Sequence, residues 1–442
     1  MTFTDLNLST PLLNALADLG YTKPTTIQHK AFTVIMSGRD VCGIAQTGTG
    51  KTFAYLLPTL RLMKFSKTRS VQLLILVPTR ELVLQVVEAI RKLTTYMTIE
   101  VDGIYGGTNI NPQKERVEKG SDIIVATPGR LMDLILHGSL DVKMIKKLVI
   151  DEMDEMLNLG FRTQIKNILD LLPAKRQNLL FSATITEEVE KLMQIYFNDP
   201  VKIEAAPTGT PLENIEQTGY VVPNFYTKVN LLTYLLYKDK TMSKVLVFVS
   251  TKQLADDLFA ELEAIFPEEA GVIHSNKAQN FRFKAVKQFQ EGNCRFLIAT
   301  DIVARGIDVA EVSHVINFDM PDVAETYIHR IGRTGRADRK GISIAMITPK
   351  EEKTKASIEE LMHYSIPLLP LPADLEISDV LTEDEKPKFY MKTDRVKLLK
   401  KKDVGPAFHE KSAKNSKVNQ KVTRKDQMKK KYKKPIKRKP KK

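Results

Sequence analysis

The sequence predicts two successive α/β domains, each a parallel sheet flanked by helices, followed by a basic C-terminal tail with no core of its own. Three observations carry that expectation. Short unbroken apolar runs alternate with helical patterns, the alternation lapses into AAPTGTPL at 205–212 and then restarts, and the excess positive charge lies near the C-terminus. An apolar run without polar alternation is buried on both faces, as in a parallel sheet covered by helices.

In the first block, strands are predicted at 41–45, 73–77, 123–126, 147–150 and 178–181, with helices at 52–61, 81–93 and 187–196 between them. The block is assigned to residues 1–206. The Pro, Gly and Thr of 207–212 read as a linker. In the second block, 213–368, strands are predicted at 245–249, 296–299, 314–318 and 343–347, and helices at 252–265, 279–289 and 351–363. Residues 369–442 are assigned to a low-complexity tail, largely disordered, because they hold too little apolar surface to offset ordering entropy.

Charge separates the tail from the body. Positions 391–442 hold 22 of the 67 Lys and Arg but only four of the 53 acids, which leaves 45 basic and 49 acidic residues in positions 1–390. The body is slightly acidic, so any general attraction to nucleic acid resides in the tail, read as a non-specific tether, with a solubilising end or a nuclear address as the alternatives. No run approaches the roughly 18 apolar residues of a membrane span, and MTFTDLNLST lacks the basic-then-apolar order of a secretory signal. Cys42 and Cys294 lie far apart, each beside an apolar run, and read as buried thiols rather than a disulfide or a CxxC metal site. A reducing, cytoplasmic setting is expected, nuclear or nucleolar in a eukaryote.

The chemistry begins with Ala45, Gln46, Thr47, Gly48, Thr49, Gly50, Lys51 and Thr52, which follow a predicted strand and open a predicted helix. Glycine N–H groups there can wrap phosphate oxygens, Lys51 can reach the β- and γ-phosphates, and Thr52 can offer its hydroxyl to Mg²⁺. Ala45 stands where the usual P-loop pattern has Gly. About 100 residues later Asp151 and Glu152 end an apolar run. Two carboxylates there are costly unless paired; Asp151 suits Mg²⁺, partly through water, and Glu152 suits polarising an attacking water. In the second block, residues 329–336 (HRIGRTGR) contain His329, Arg333 and Arg336. Alone, this is equally a solvated basic turn; paired with a P-loop in the other block, it supplies arginines that complete an ATP site only when the domains meet.

In motif content, order and spacing, from Phe3 to about His363, the chain resembles the DEAD-box ATP-dependent RNA helicases, bacterial in character and nearest the RhlE-like group. The resemblance implies two tandem RecA-like domains, ATP and Mg²⁺ as cofactors, and RNA as partner, single-stranded or a short duplex held by its backbone. It implies no membrane, a monomer, and ribosomal or RNA-decay assemblies as the larger setting. By resemblance Phe3 is the isolated upstream aromatic, Tyr21 stacks on adenine, and Gln28 reads its polar edge. Asp308 lies at the ATP ribose. Ser182 and Thr184 couple the phosphate site to strand separation, and His329 touches the Asp154 region. The RNA track is implied at Arg80, Gly107, Thr127 and Arg130 in the first domain, and at Gln279, Arg282, Thr300 and Arg305 in the second.

Residues 151–154 read Asp-Glu-Met-Asp where the family has Asp-Glu-Ala-Asp. The carboxylates are kept, so the chemistry is expected intact, while the larger Met153 bears on packing against Ser182 and Thr184. His274 is followed by Ser275 and Asn276 where His-Gly is usual, which implies a stiffer loop. The expected function is an ATP-dependent RNA helicase that opens short duplexes or remodels RNA–protein complexes by closure of two domains. An ATP-gated RNA clamp with little unwinding and a DNA-translocating ATPase are the alternatives.

Overall fold

The computed structural model describes residues 2–45, 49–63, 70–204, 214–301, 312–335, 340–383, 385 and 386. The first lobe is a seven-stranded sheet of β1 (Val41–Ile44), β2 (Leu73–Leu76), β3 (Val101–Ile104), β4 (Ile123–Ala126), β5 (Lys147–Asp151), β6 (Gln177–Ser182) and β7 (Val201–Glu204). Its order is β3-β4-β2-β5-β6-β1-β7, with every neighbouring pair parallel.

The apolar runs explain the two-sided burial. Alternate residues of the inner strands enter different cores: Val41, Leu73, Ile75, Val149, Leu179 and Phe181 join one, while Cys42, Ile44, Leu74, Leu76, Ile150 and Leu180 join the other. Each fully buried aliphatic side chain contributes about 1.5–3 kcal/mol. One four-residue inner strand therefore rivals a typical net stability of roughly 5–15 kcal/mol, which is why register is tightly held. That register sets Ile44 opposite Ser182 and Asp151 opposite Phe181, so three neighbouring strands end together at one carboxyl edge.

The second lobe repeats the plan with β8 (Ile215–Val221), β9 (Val245–Val249), β10 (Ala270–Ile273), β11 (Phe296–Thr300), β12 (His314–Asn317), β13 (Gly341–Ile347) and β14 (Leu368–Leu369). The order is β10-β11-β9-β12-β13-β8-β14, again all parallel. Among the described residues, no helix is long and apolar enough to cross a membrane.

One boundary needs correction. Residues 369–383 and 385, expected to belong to the tail, continue the second lobe. Leu371 and Leu375 pack against its core. The Phe225 N–H donates to Glu385 Oε1 at 2.7 Å, the Ser378 N–H to Thr227 Oγ1 at 3.1 Å, and Asn230 Nδ2 to the Glu376 carbonyl at 2.9 Å. Hydrogen bonds to main chain hold this strap, and they leave no apolar periodicity in the sequence. The expected linker 207–212 and the chain from 387 onward lie outside the described residues.

Candidate functional site

The carboxyl edge of the first sheet gathers the phosphate-site candidates. Lys51 opens the helix Lys51–Leu62 directly after the loop that leaves β1. It is buried, and its Nζ has no hydrogen-bond partner among the described residues. Asp151, at the end of β5, is also buried: Oδ2 accepts from the Tyr55 hydroxyl at 3.0 Å, whereas Oδ1 has no partner among the described residues. Burial pushes the Asp151 carboxyl up to about 6, against the pull of the Lys51 ammonium, and the neighbouring Glu152 charge adds to the rise. A buried ammonium and a buried carboxylate oxygen, both lacking partners, are costly in an isolated protein. Phosphate oxygens and a cation are the groups that would satisfy them.

Glu152 has φ 54° and ψ 52°, a left-handed backbone that costs a non-glycine residue roughly 1–2 kcal/mol. Its N–H donates to the Phe181 carbonyl at 2.8 Å, which holds the turn in place. Strain of this kind concentrates at functional loops.

The same loop meets the end of β6. Asp154 Oδ2 accepts from the Thr184 N–H at 3.0 Å and hydroxyl at 2.9 Å, and the Asp154 N–H donates to Ser182 Oγ at 3.3 Å. His329 Nε2, from the second lobe, lies 3.9 Å from Asp154 Oδ2. Burial acts to raise the Asp154 carboxyl, but His329, Lys51 and the Ser182 and Thr184 bonds outweigh it and hold the group below its ordinary value. Met153 is buried in the core among Leu180, Ile150 and Met156, so the larger side chain is absorbed without loss of the Asp154 bonds.

Tyr21 is half exposed, with its ring 5.2 Å edge-on from Phe53. Gln28 is bonded at both ends of its amide: Oε1 accepts from the Thr25 N–H at 3.0 Å, and Nε2 donates to the Gly50 carbonyl at 3.2 Å. The amide keeps one lone pair and one N–H for a ligand. Phe3, the upstream aromatic, is buried in the first core.

On the expected RNA track, Arg80 and Gly107 come together. Gly107 has φ +79°, a left-handed backbone that favours glycine, and a Cβ there would lie 2.7 Å from Arg80 Nη2 and push the guanidinium aside. Thr127 immediately precedes the helix Pro128–Leu136 that carries Arg130. Arg130 donates from Nη2 to the Thr108 carbonyl at 2.8 Å, while its buried Nη1 has no partner. Thr300 ends β11, nearly buried.

Gln279 and Arg282 meet Glu81 of the first lobe: Gln279 Nε2 donates to Glu81 Oε1 at 3.3 Å, and Arg282 forms an ion pair with the same oxygen, while Gln279 Oε1 and Arg282 Nε are buried without a partner among the described residues. Arg282 is buried there, and a carboxylate already neutralises it. The arginine run also divides. Arg330 is fully buried, with Nε and Nη2 donating to both Asp301 oxygens at 2.6 and 2.7 Å, and it serves the lobe's interior. Arg333 is buried too. His274 is tied to Asp256 at 3.0 Å, and Lys252 donates to Asn276 at 3.0 Å, in keeping with a braced loop. Gln46, Thr47, Gly48, Arg305, Asp308 and Arg336 lie outside the described residues.

The sequence did not single out Tyr55, and it placed Glu81 and Arg330 only within larger motifs, with no sign that they pair with Arg282 and Asp301. Tyr55 had one available signal: it stands four residues after Lys51, hence on the same helix face.

Two parallel-sheet lobes, a P-loop lysine beside an acidic strand end, and a second-lobe histidine reaching that acidic loop define a two-lobed nucleoside triphosphatase. Residues 25–192 match the DEAD/DEAH box helicase family model, and residues 227–338 match the helicase conserved C-terminal domain. The chain is 41% identical over 375 residues to the RNA helicase CrhR of Synechocystis sp., covering 84% of this chain and 75% of the relative. It is 37% identical over 370 residues to the DEAD-box ATP-dependent RNA helicase RhpA of Helicobacter pylori, covering 84% and 74%. Among solved structures, S. cerevisiae Dbp5 bound to RNA and ADP BeF3 superposes with a TM-score of 0.75 at 30% identity, covering 84% of this chain and 96% of that one. Mss116p bound to ssRNA and AMP-PNP gives 0.78 at 27% identity, covering 84% and 80%. This chain belongs to the DEAD-box family of ATP-dependent RNA helicases. It is an RNA-stimulated ATPase built on two tandem RecA-like domains.

Proposed function

We propose that the chain opens short RNA duplexes, or remodels RNA–protein complexes, through ATP-driven joining of its two lobes. The RNA-bound states of Dbp5 and Mss116p support RNA as the partner here. The observation that carries the reading is the pair of buried polar atoms without partners, Lys51 Nζ and Asp151 Oδ1, at strand ends that also hold Asp154 against His329 of the other lobe.

In this reading Lys51 binds the β- and γ-phosphates with Gln46 to Gly50 around them, while Tyr21 and Gln28 take the adenine and Asp308 the ribose. The donor set fits magnesium, a hard cation that takes oxygen ligands: the buried Asp151 Oδ1 lacks a partner among the described residues, and Asp151 and Thr52 would share the ion with phosphate and water. When bound, Mg²⁺ neutralises charge on the transferring phosphate. Glu152 orients and polarises the attacking water. Arg333 and Arg336 stabilise the charge that develops on the phosphate, and Asp154, Ser182, Thr184 and His329 transmit its state between the lobes. Arg80, Gly107, Thr127, Arg130, Thr300 and Arg305 hold RNA by phosphate and ribose, which positions a strand without reading its sequence.

The test compares ATP hydrolysis with RNA, with DNA of the same sequence, and alone. RNA-specific stimulation is expected, with turnover abolished in Lys51→Ala and slowed at least a hundredfold in Glu152→Gln despite retained ATP and RNA binding. Equal stimulation by DNA removes RNA as the substrate. Near-normal turnover in Glu152→Gln removes that residue from its role.

A further inference from the structure

Tyr55 is the buried polar group that the mechanism above does not use. It lies one helical turn after Lys51, so its side chain returns to the face of the helix that carries the P-loop lysine. It has no exposed surface, and its ring packs 5.4 Å from that of Phe181 on β6. The adjacent strand makes space for this packing: a Cβ at Gly43 of β1 would lie 2.5 Å from the Phe181 ring.

The hydroxyl donates to Asp151 Oδ2 at 3.0 Å. A phenol carries one proton, and here that proton is committed to the carboxylate. Asp151 is thereby gripped by one oxygen, and its Oδ1 has no partner among the described residues. Oxygen lone pairs held in fixed directions are what a hard divalent cation selects.

We propose that Tyr55 is a positioning residue for magnesium, its hydroxyl holding Asp151 by one carboxylate oxygen so that the other presents its lone pairs to the cation. The proposal rests on the assignment of Thr52 and Asp151 as the magnesium-holding pair. A phenylalanine would fill the same space and leave Asp151 unheld. Partners that orient metal ligands typically change metal affinity 10–100-fold.

The experiment measures binding rather than turnover. The full-length chain is titrated with fluorescent methylanthraniloyl-ADP at a series of Mg²⁺ concentrations without RNA, and again in EDTA. Tyr55→Phe should match the unaltered chain in EDTA and need about tenfold more Mg²⁺ to reach tight binding. Tyr55→Leu, which also removes the ring, should show the same Mg²⁺ shift with a larger fall in melting temperature. If the unaltered chain responds to Mg²⁺ and Tyr55→Phe responds at the same concentration, the proposal is overturned, whether or not that variant melts lower. A shift in Tyr55→Leu alone assigns the effect to packing and overturns it too. If the unaltered chain ignores Mg²⁺, the magnesium assignment beneath the proposal fails as well.

Discussion

Arg330 belongs to the run 329–336 but is predicted to act through stability. Its Nε and Nη2 bind both oxygens of Asp301, its Nη1 donates to Asn317 Oδ1 at 3.2 Å and to the Asp319 carbonyl at 2.6 Å, and its guanidinium lies 5.0 Å from the centre of the Phe248 ring. It thus ties the ends of β11 and β12 to the helix Ala324–Ile331. Replacement by Met removes the charge and strands the carboxylate. Removing one partner of a buried pair costs about 3–5 kcal/mol. The Asp301 side chain keeps 25% exposure, so water recovers part of that cost and the lower end, about 3 kcal/mol, is the better figure. For a lobe of this size roughly 2–4 °C is lost per kcal/mol, which gives a fall of about 6–12 °C. Calorimetry of the full-length chain should show it, and Arg330→Met with Asp301→Asn should recover part of it, because the stranded charge is gone. A fall under about 2 °C, or a double variant no better than the single one, refutes the reasoning.

Two further outcomes follow from the same kind of accounting. Glu81→Gln leaves Arg282 buried without a counter-charge between the lobes; at about 2 kcal/mol the joined arrangement loses roughly 30-fold in population, so RNA-stimulated ATPase should fall by about that factor. Nucleotide binding without RNA should be unchanged, and ATPase within twofold of normal would show that the contact does not limit closure. His314, buried in β12, has its pKa lowered by burial, against the pull of Asp239 at 3.6 Å; its Nδ1 faces Ser313. The unfolded chain therefore takes up a proton near pH 6.5 that the folded chain refuses. Stability should be fully present above that pH and decline as pH falls through 6.5 toward the lowered folded value. Melting temperatures from pH 8 to pH 5 should decline less in His314→Gln; parallel curves would show that His314 is not the titrating group.

The interior of each sheet was legible because β1, β2 and β4 of the first and β9 and β11 of the second are apolar at nearly every position. The edges were not. β3 (VDGI) and β7 (VKIE) are half exposed, so their sequences alternate and lack the continuous apolar run that marks a two-sided strand. β8 (IEQTGYV), one strand in from its edge, fails for the same reason. The site was legible where function demands a rare local pattern, as in the P-loop and the Asp151–Asp154 run. Contacts between distant positions left no local trace: Glu81 and Arg282 are 201 residues apart.

The arginines show why motif chemistry alone stops short of a role. A guanidinium fits a carboxylate and a phosphate equally well, since both offer paired anionic oxygens to its planar fork. Arg330 already holds a carboxylate, Asp301, with Nε and Nη2, and a phosphate could take it only by displacing that partner; Arg282 pairs with Glu81 yet keeps a buried Nε without a partner among the described residues. Arg130 differs: it bonds a neutral carbonyl, lies 3.5 Å from the half-exposed Asp133, and keeps a buried Nη1 with no partner. A phosphate oxygen adds a bond there without breaking a buried ion pair. The bonds each guanidinium already makes, which only the folded chain reveals, therefore mark Arg330 as a strut and leave Arg130 and Arg282 each with a buried donor still to offer.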